Sequence, residues 1–205
     1  MEDLQQALAE IHLIRNQVAR GTQFRGYGPR CIAFTGLLAL AVAYGESLWS
    51  THVRHGLTVS VMIWLATAAI SLLLSAIDTV RRARRVHVDL AEEMLQSAAE
   101  QFIPSLAVGG LLTVVLLRVI PDDGWLLPGL WEIIFSLGIF ASCRFLPRLM
   151  FAVGFWYLAA GLCSVIICSG AKLFLPWTMG VPFGIGQLLV AAVLQFGVEK
   201  ILEGE

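Results

Sequence analysis

Three charged residues lie within, or at the edge of, long apolar stretches of the sequence: Glu46, Arg118 and Glu132. The amide side chain of Gln187 lies in another such stretch. Charged groups inside a bilayer are costly, so they either pair with one another or mark a functional site. Only residues 121–124 separate the stretch that ends near Arg118 from the one that holds Glu132, so we expect these two side chains to form an ion pair. The pair would either lock two helices together or, with Glu46 and Gln187, line an outward-facing pocket for a cation, a proton or a small polar ligand.

Polar residues at the ends of the same stretches would cap this pocket: His52, His55, Asp122 and Asp123. The spacing of His52 and His55 suits two zinc ligands, but no third ligand accompanies them. We therefore interpret both as solvent-exposed loop histidines and predict no metal site. We also predict no cofactor, because no apolar stretch contains a histidine that could ligate haem.

Catalytic patterns are missing from the sequence. Hydrolysis inside a membrane needs a nucleophile with a base, a pair of carboxylates or a metal site. The chain has no HExxH motif, no Gly-x-Ser-x-Gly motif and no pair of intramembrane aspartates. We therefore expect a protein that is not an enzyme.

The elements that must position these residues follow from composition. Hydrophobic residues make up 58% of the 205 residues and charged residues 14%, and the mean hydropathy is +0.78, well outside the range of soluble domains. Apolar stretches of about 18–22 residues match a hydrocarbon layer of roughly 30 Å when they are helical. We predict an all-α integral membrane protein, a six-transmembrane-helix up-and-down bundle with two cytoplasmic amphipathic helices. The six spans are predicted at about 31–49, 57–77, 103–120, 125–143, 151–168 and 179–198, within a transmembrane domain of residues 31–198.

The basic residues predict the orientation. Eleven of the 14 Lys and Arg residues fall before the first span, between spans two and three, between spans four and five, or after the sixth. By the positive-inside rule these segments, including both termini and the tail 199–205, are cytoplasmic. Arginine-rich, asparagine-poor usage favours a bacterial inner (plasma) membrane.

Two segments are predicted to be cytoplasmic amphipathic helices. Residues 1–30 contain apolar residues at three- and four-residue spacing, and residues 78–102 contain a second such pattern that runs up to Pro104. The second segment opens with a basic cluster, which we expect to contact anionic lipid or an acidic partner: Arg81, Arg82, Arg84 and Arg85.

Gly180 and Gly184 form a small-xxx-small step in the sixth span, next to Pro182. Such a step allows close helix packing. It could serve packing within the bundle or a homodimer.

Two functions remain open. The first, which we favour, is a non-catalytic sensing, anchoring or assembly module that acts through its cytoplasmic helices on a protein partner. The second is a small transporter or channel with a pocket around Glu132. Membrane lipids are expected partners of either, whereas the net charge of −1 gives no reason to expect nucleic acid.

Overall fold

The structure, a computed structural model, describes residues 28–52, 56–83, 89–143, 146 and 149–202. At 50–52, 82–83, 89–99, 171 and 196–202 it describes the backbone only. The predicted N-terminal amphipathic helix lies outside the described residues, as do His55, Arg84 and Arg85. Within the described ranges the chain is helical and contains no strand.

Six long helices follow one another, and a short 3-10 helix lies between the third and the fourth. Their bounds are α1 Pro29–His52, α2 Leu57–Ala83, α3 Asp89–Val119, the 3-10 helix Pro121–Leu126, α4 Leu127–Ser142, α5 Met150–Ala171 and α6 Pro176–Leu202.

Five of the helices, and α4 taken together with the 3-10 helix before it, are long and apolar enough to cross a membrane. The apolar windows are Pro29–Trp49, Leu57–Arg81, Glu100–Val119, Pro121–Ser142, Met150–Gly170 and Pro176–Gln195. Large apolar side chains on the outer surface of the bundle are exposed, including Leu111 and Ile166, as expected where lipid replaces water. These features indicate a multi-pass membrane protein, and the prediction of six helices long and apolar enough to span a membrane is confirmed.

The region 78–102 differs from the predicted loop. α2 continues to Ala83, and α3 begins at Asp89 and runs without interruption through Pro104 into its apolar part. Proline removes one backbone donor but does not have to end a helix when the flanking residues favour helix, as the Ala-, Glu-, Leu- and Gln-rich run before Pro104 does. Residues 89–102 are thus the first part of α3 and not a separate element, and the amphipathic face predicted there remains a prediction.

Helices that are distant in sequence pack closely. The most extensive contact joins α1 to α6, and the next joins α4 to α5. A Cβ built on Gly36 of α1 would lie 2.8 Å from the Gly184 carbonyl oxygen of α6. Such short separations require glycine, because any larger side chain would meet backbone that cannot move aside.

The core divides into three clusters along the bundle. One surrounds Tyr157 and includes Ile139 and Leu194. A second surrounds Trp64 and joins α1, α2 and α6, and a third joins α2, α3 and α4 around Leu127.

Candidate intramembrane polar site

Glu132 is completely buried in α4, with 0% of its surface exposed. The Ser164 hydroxyl of α5 lies 3.1 Å from one carboxylate oxygen and 3.4 Å from the other, within donating distance of both. The same hydroxyl is 3.4 Å from the Thr178 carbonyl oxygen of α6. Three helices therefore bring oxygen atoms to one point inside the bundle.

Two glycines set the distance between α4 and α5 at this point. A Cβ built on Gly161 would lie 2.8 Å from the Gly129 carbonyl oxygen, and one built on Gly129 would lie 2.6 Å from the Gly161 carbonyl oxygen. Glu132 and Ser164 each follow one of these glycines by three residues, so they lie almost one turn further on the same faces. The glycine contact thus positions the carboxylate against the hydroxyl.

Other polar groups surround the α5–α6 part of the site. The Thr178 hydroxyl donates a hydrogen bond of 2.7 Å to the Leu175 carbonyl oxygen. It also accepts a hydrogen bond from the Cys168 thiol, with a sulfur–oxygen distance of 3.8 Å. The Tyr157 hydroxyl is fully buried and has no hydrogen-bond partner in the part of the chain that the structure describes, and its ring packs against Phe135 and Phe183.

Glu46 belongs to a different interface. Its Oε2 accepts a hydrogen bond of 2.9 Å from the Trp64 indole N–H of α2, whereas its Oε1 is buried and has no hydrogen-bond partner among the described residues. Trp64, with Met179 and Trp131, lies in the apolar cluster between α1, α2 and α6. Glu46 and Glu132 therefore form hydrogen bonds across different helix interfaces.

Tryptophan indoles join consecutive helices in three places. Besides the Trp64–Glu46 bond between α2 and α1, Trp131 of α4 donates to the Thr113 hydroxyl of α3 at 2.8 Å. Trp156 of α5 donates to the Pro182 carbonyl of α6 at 3.1 Å. The pairs α1–α2, α3–α4 and α5–α6 thus each have one indole hydrogen bond across their interface.

The predicted ion pair between Arg118 and Glu132 is not formed among the described residues. Arg118 is exposed near the end of α3, while Glu132 is directed at Ser164 of α5. The neighbouring residue Trp131 occupies the side of α4 that faces α3. Positions one apart on a helix differ by about 100°, so Glu132 faces a different helix from the one that carries Arg118.

The glycines of the sixth span pack within the chain. A Cβ on Gly180 would overlap Ala43, and one on Gly184 would meet the Leu40 side chain at 2.5 Å, both in α1. Gln187 is partly buried on the same α1–α6 interface, where its Cβ would be 3.0 Å from a Cβ on Gly36. The face with Gly180 and Gly184 is therefore covered by α1 and is not free for a second copy.

The residues expected to cap a pocket lie at helix ends. Asp122 and Asp123 occupy the first turn of the 3-10 helix, with Asp122 exposed and Asp123 partly exposed. His52 is the last residue of α1, and its side chain is not described. Among the described residues, no group of three or more His, Cys, Asp or Glu side chains could hold a metal ion.

The other end of α2 carries Arg81, the first residue of the basic cluster. Arg81 is exposed near the end of α2, and together with Ala76, Ile77 and Val80 it lines an open groove of about 330 Å³. Nearby, the Gly28 backbone N–H donates to Asp78 Oδ2 at 3.0 Å and ties the start of α1 to α2.

Sequence reasoning identified Glu46 and Glu132 but missed their partners. Ser164 and Trp64 lie on apolar helices where single polar residues are common, so spacing alone gave no signal for either. Pro182 and its neighbouring glycines stand out in the sequence, but no sequence pattern connects them with Glu132. No protein-family model, curated protein or solved structure matches the chain.

Proposed function

We propose that the protein is a non-catalytic anchoring, sensing or assembly module of a bacterial inner membrane. Its spans form an up-and-down bundle with both termini in the cytoplasm, and its cytoplasmic helices bind a protein partner. The observation that carries this proposal is the extension of α3: its helix starts at Asp89, whereas its apolar span starts at Glu100. At 1.5 Å per residue the helix projects roughly 16 Å beyond the apolar part.

The up-and-down arrangement is supported by the order of contacts along neighbouring helices. In α4 and α5, Gly129 approaches Val165 while Phe140 approaches Gly154. Residues later in α4 thus contact residues earlier in α5, as they do in an antiparallel helix pair. Trp64 with Glu46 and Trp131 with Thr113 fit the same antiparallel sense for their helix pairs.

A scaffold role is supported by the use of polar groups inside the bundle. The three interhelical indole bonds and the Glu132–Ser164 bond hold helices to one another. Glycine contacts at Gly36, Gly129 and Gly161 allow little room between backbones. Such fixed packing suits a rigid membrane anchor that presents the extended end of α3.

Anionic lipid is the second partner that we propose for the cytoplasmic side. Arg81 lies beside the groove at the end of α2, and the sequence adds Arg82, Arg84 and Arg85 directly after it. Each basic residue near an anionic membrane surface contributes about 1 kcal/mol of attraction. The cluster would hold the inner end of α2 at the headgroups.

The test is purification of the tagged full-length protein from its native membrane in mild detergent, with mass spectrometry of bound proteins and small molecules. We expect a protein partner in stoichiometric amount. Charge reversal of the α3 extension, Glu92→Lys with Glu93→Lys, should remove that partner because it changes the projecting surface. Glu132→Gln should retain it, because this residue is buried in the bundle. Loss of the partner in Glu132→Gln alone, or a homogeneous protein with a retained ion and no partner, would contradict the anchoring function.

Transport is the second candidate, and the complete burial of the Glu132 carboxylate favours it. A carboxylate without a nearby cationic side chain is costly in an apolar interior, and only a hydroxyl bonds Glu132 among the described residues. A transporter would use this group to couple ion or proton movement to its substrate. In that case Glu132→Gln abolishes activity, whereas shortening of the N-terminal segment is tolerated.

A further inference from the structure

The Thr178 carbonyl of α6 lacks its helical hydrogen-bond donor. In an α-helix the carbonyl of each residue accepts from the N–H four residues later. Four residues after Thr178 comes Pro182, which lies inside α6 and has no N–H. The carbonyl oxygen is therefore free to bind another group, and it lies 3.4 Å from the Ser164 hydroxyl oxygen.

Acceptors outnumber donors around Ser164. Its single hydroxyl proton lies within reach of three acceptor oxygens, two of the Glu132 carboxylate and one of the Thr178 carbonyl. A hydroxyl donates one hydrogen bond only. Two of the three acceptors are then left without that donor, in a place where the carboxylate is 0% exposed and where an unsatisfied polar group costs several kcal/mol.

We propose that the Glu132 carboxylate, the Ser164 hydroxyl and the Thr178 carbonyl form a binding site for one dehydrated monovalent cation of the sodium type. Carboxylate, hydroxyl and carbonyl oxygens are hard ligands that replace the hydration shell of such a cation. A carbonyl released by an interrupted helix is also the kind of group that coordinates Na⁺ within membrane proteins.

The charge of the site selects a monovalent ion. One carboxylate balances one positive charge, so the occupied site is neutral in the apolar interior. A divalent ion would leave one uncompensated charge there. Mg²⁺ would in addition retain several waters in an octahedral shell.

The inference goes beyond the anchoring function and does not rest on it. It deepens the transport alternative, because it names the ion that Glu132 would bind. Cation binding is measured on the purified protein, whereas anchoring is tested by the partner, so either idea can fail without the other.

The experiment measures thermal unfolding of the purified full-length protein in detergent, by tryptophan fluorescence, in NaCl and in choline chloride at equal ionic strength and pH. A ligand that binds only the folded state raises Tm. At a Na⁺ concentration about 100 times Kd we expect a rise of roughly 5–10 °C.

Three variants should lose this Na⁺-dependent rise. Glu132→Gln removes the negative charge, and Ser164→Ala removes the hydroxyl ligand. Pro182→Ala restores an N–H at position 182, which returns the Thr178 carbonyl to its helical hydrogen bond. Ser169→Ala is the matched control, because this serine is exposed on the same helix and bonds only its own helix at Ile166; it should keep the full rise.

Two results would overturn the site. The first is a wild-type Tm that is the same in NaCl and choline chloride, including the case in which Tm responds to pH alone and a proton occupies the carboxylate. The second is a Na⁺-dependent rise that persists in Glu132→Gln, which would place any bound cation elsewhere.

Discussion

At the scale of single residues, glycines decide how closely the helices approach. Gly161 meets the backbone of α4, whereas a Cβ on Gly170 of the same helix would have nothing within 4 Å. The two positions share one helix and differ in their surroundings. Substitutions at both positions therefore distinguish the effect of glycine on helix packing from its intrinsic effect on helix stability.

Gly161→Ala should lower the free energy of unfolding by about 1–3 kcal/mol, because the added methyl meets the Gly129 carbonyl, which is backbone. Gly170→Ala should raise it by roughly 0.5–1 kcal/mol, because alanine favours helix over glycine and the space is open. Reversible unfolding in mixed micelles measures both. Equal effects of the two substitutions would contradict the proposed α4–α5 contact.

The Trp64–Glu46 bond is a second feature of residue scale. Trp64→Phe should lower the free energy of unfolding, since it leaves Glu46 buried with neither oxygen bonded. A double-mutant cycle with Glu46→Leu, which removes the acceptor oxygens, should give a coupling energy of about 0.5–2 kcal/mol. Trp177→Phe, at an exposed position of α6, is the control and should show no coupling to Glu46. Additive effects of Trp64→Phe and Glu46→Leu would mean that the bond contributes nothing.

At the scale of elements, the six apolar stretches predicted the helices because length and composition determine which segments can cross a bilayer. The partners of those helices could not be predicted in the same way. The contact between α1 and α6 joins the first and the last of the six helices. It depends on the small size of Gly36 and Gly184 and on the shapes of the side chains around them. Arg118 is the opposite case. Its nearness in sequence to Glu132 predicts an ion pair, but the side of α4 that carries Glu132 faces α5 and not α3.

The extent of α3 distinguishes one continuous helix from a surface helix followed by a span. Spin labels at positions 90 and 115 should be roughly 37 Å apart in a continuous helix at 1.5 Å per residue. Double electron–electron resonance on the full-length protein in nanodiscs measures this distance. A value near 27 Å, the distance for two segments at a right angle about residue 100, would contradict the continuous α3.

At the scale of the whole molecule, the proposed anchoring function depends on which side of the membrane the helix ends occupy. The anchoring function needs the start of α3 and the Arg cluster to face the cytoplasm. Six helices long and apolar enough to span support an even number of crossings, and the distribution of basic residues indicates the orientation. The Glu132 site would then lie within the bundle, nearer the outer side.

Labelling of introduced cysteines with a membrane-impermeant maleimide tests this orientation most directly. The background protein has its four native cysteines replaced: Cys31, Cys143, Cys163 and Cys168. We predict labelling from outside at positions 52 and 122, and labelling at positions 84 and 146 only after the membrane is opened. Labelling of position 84 in intact cells would contradict the account, because it would place the Arg cluster and the start of α3 outside the cell.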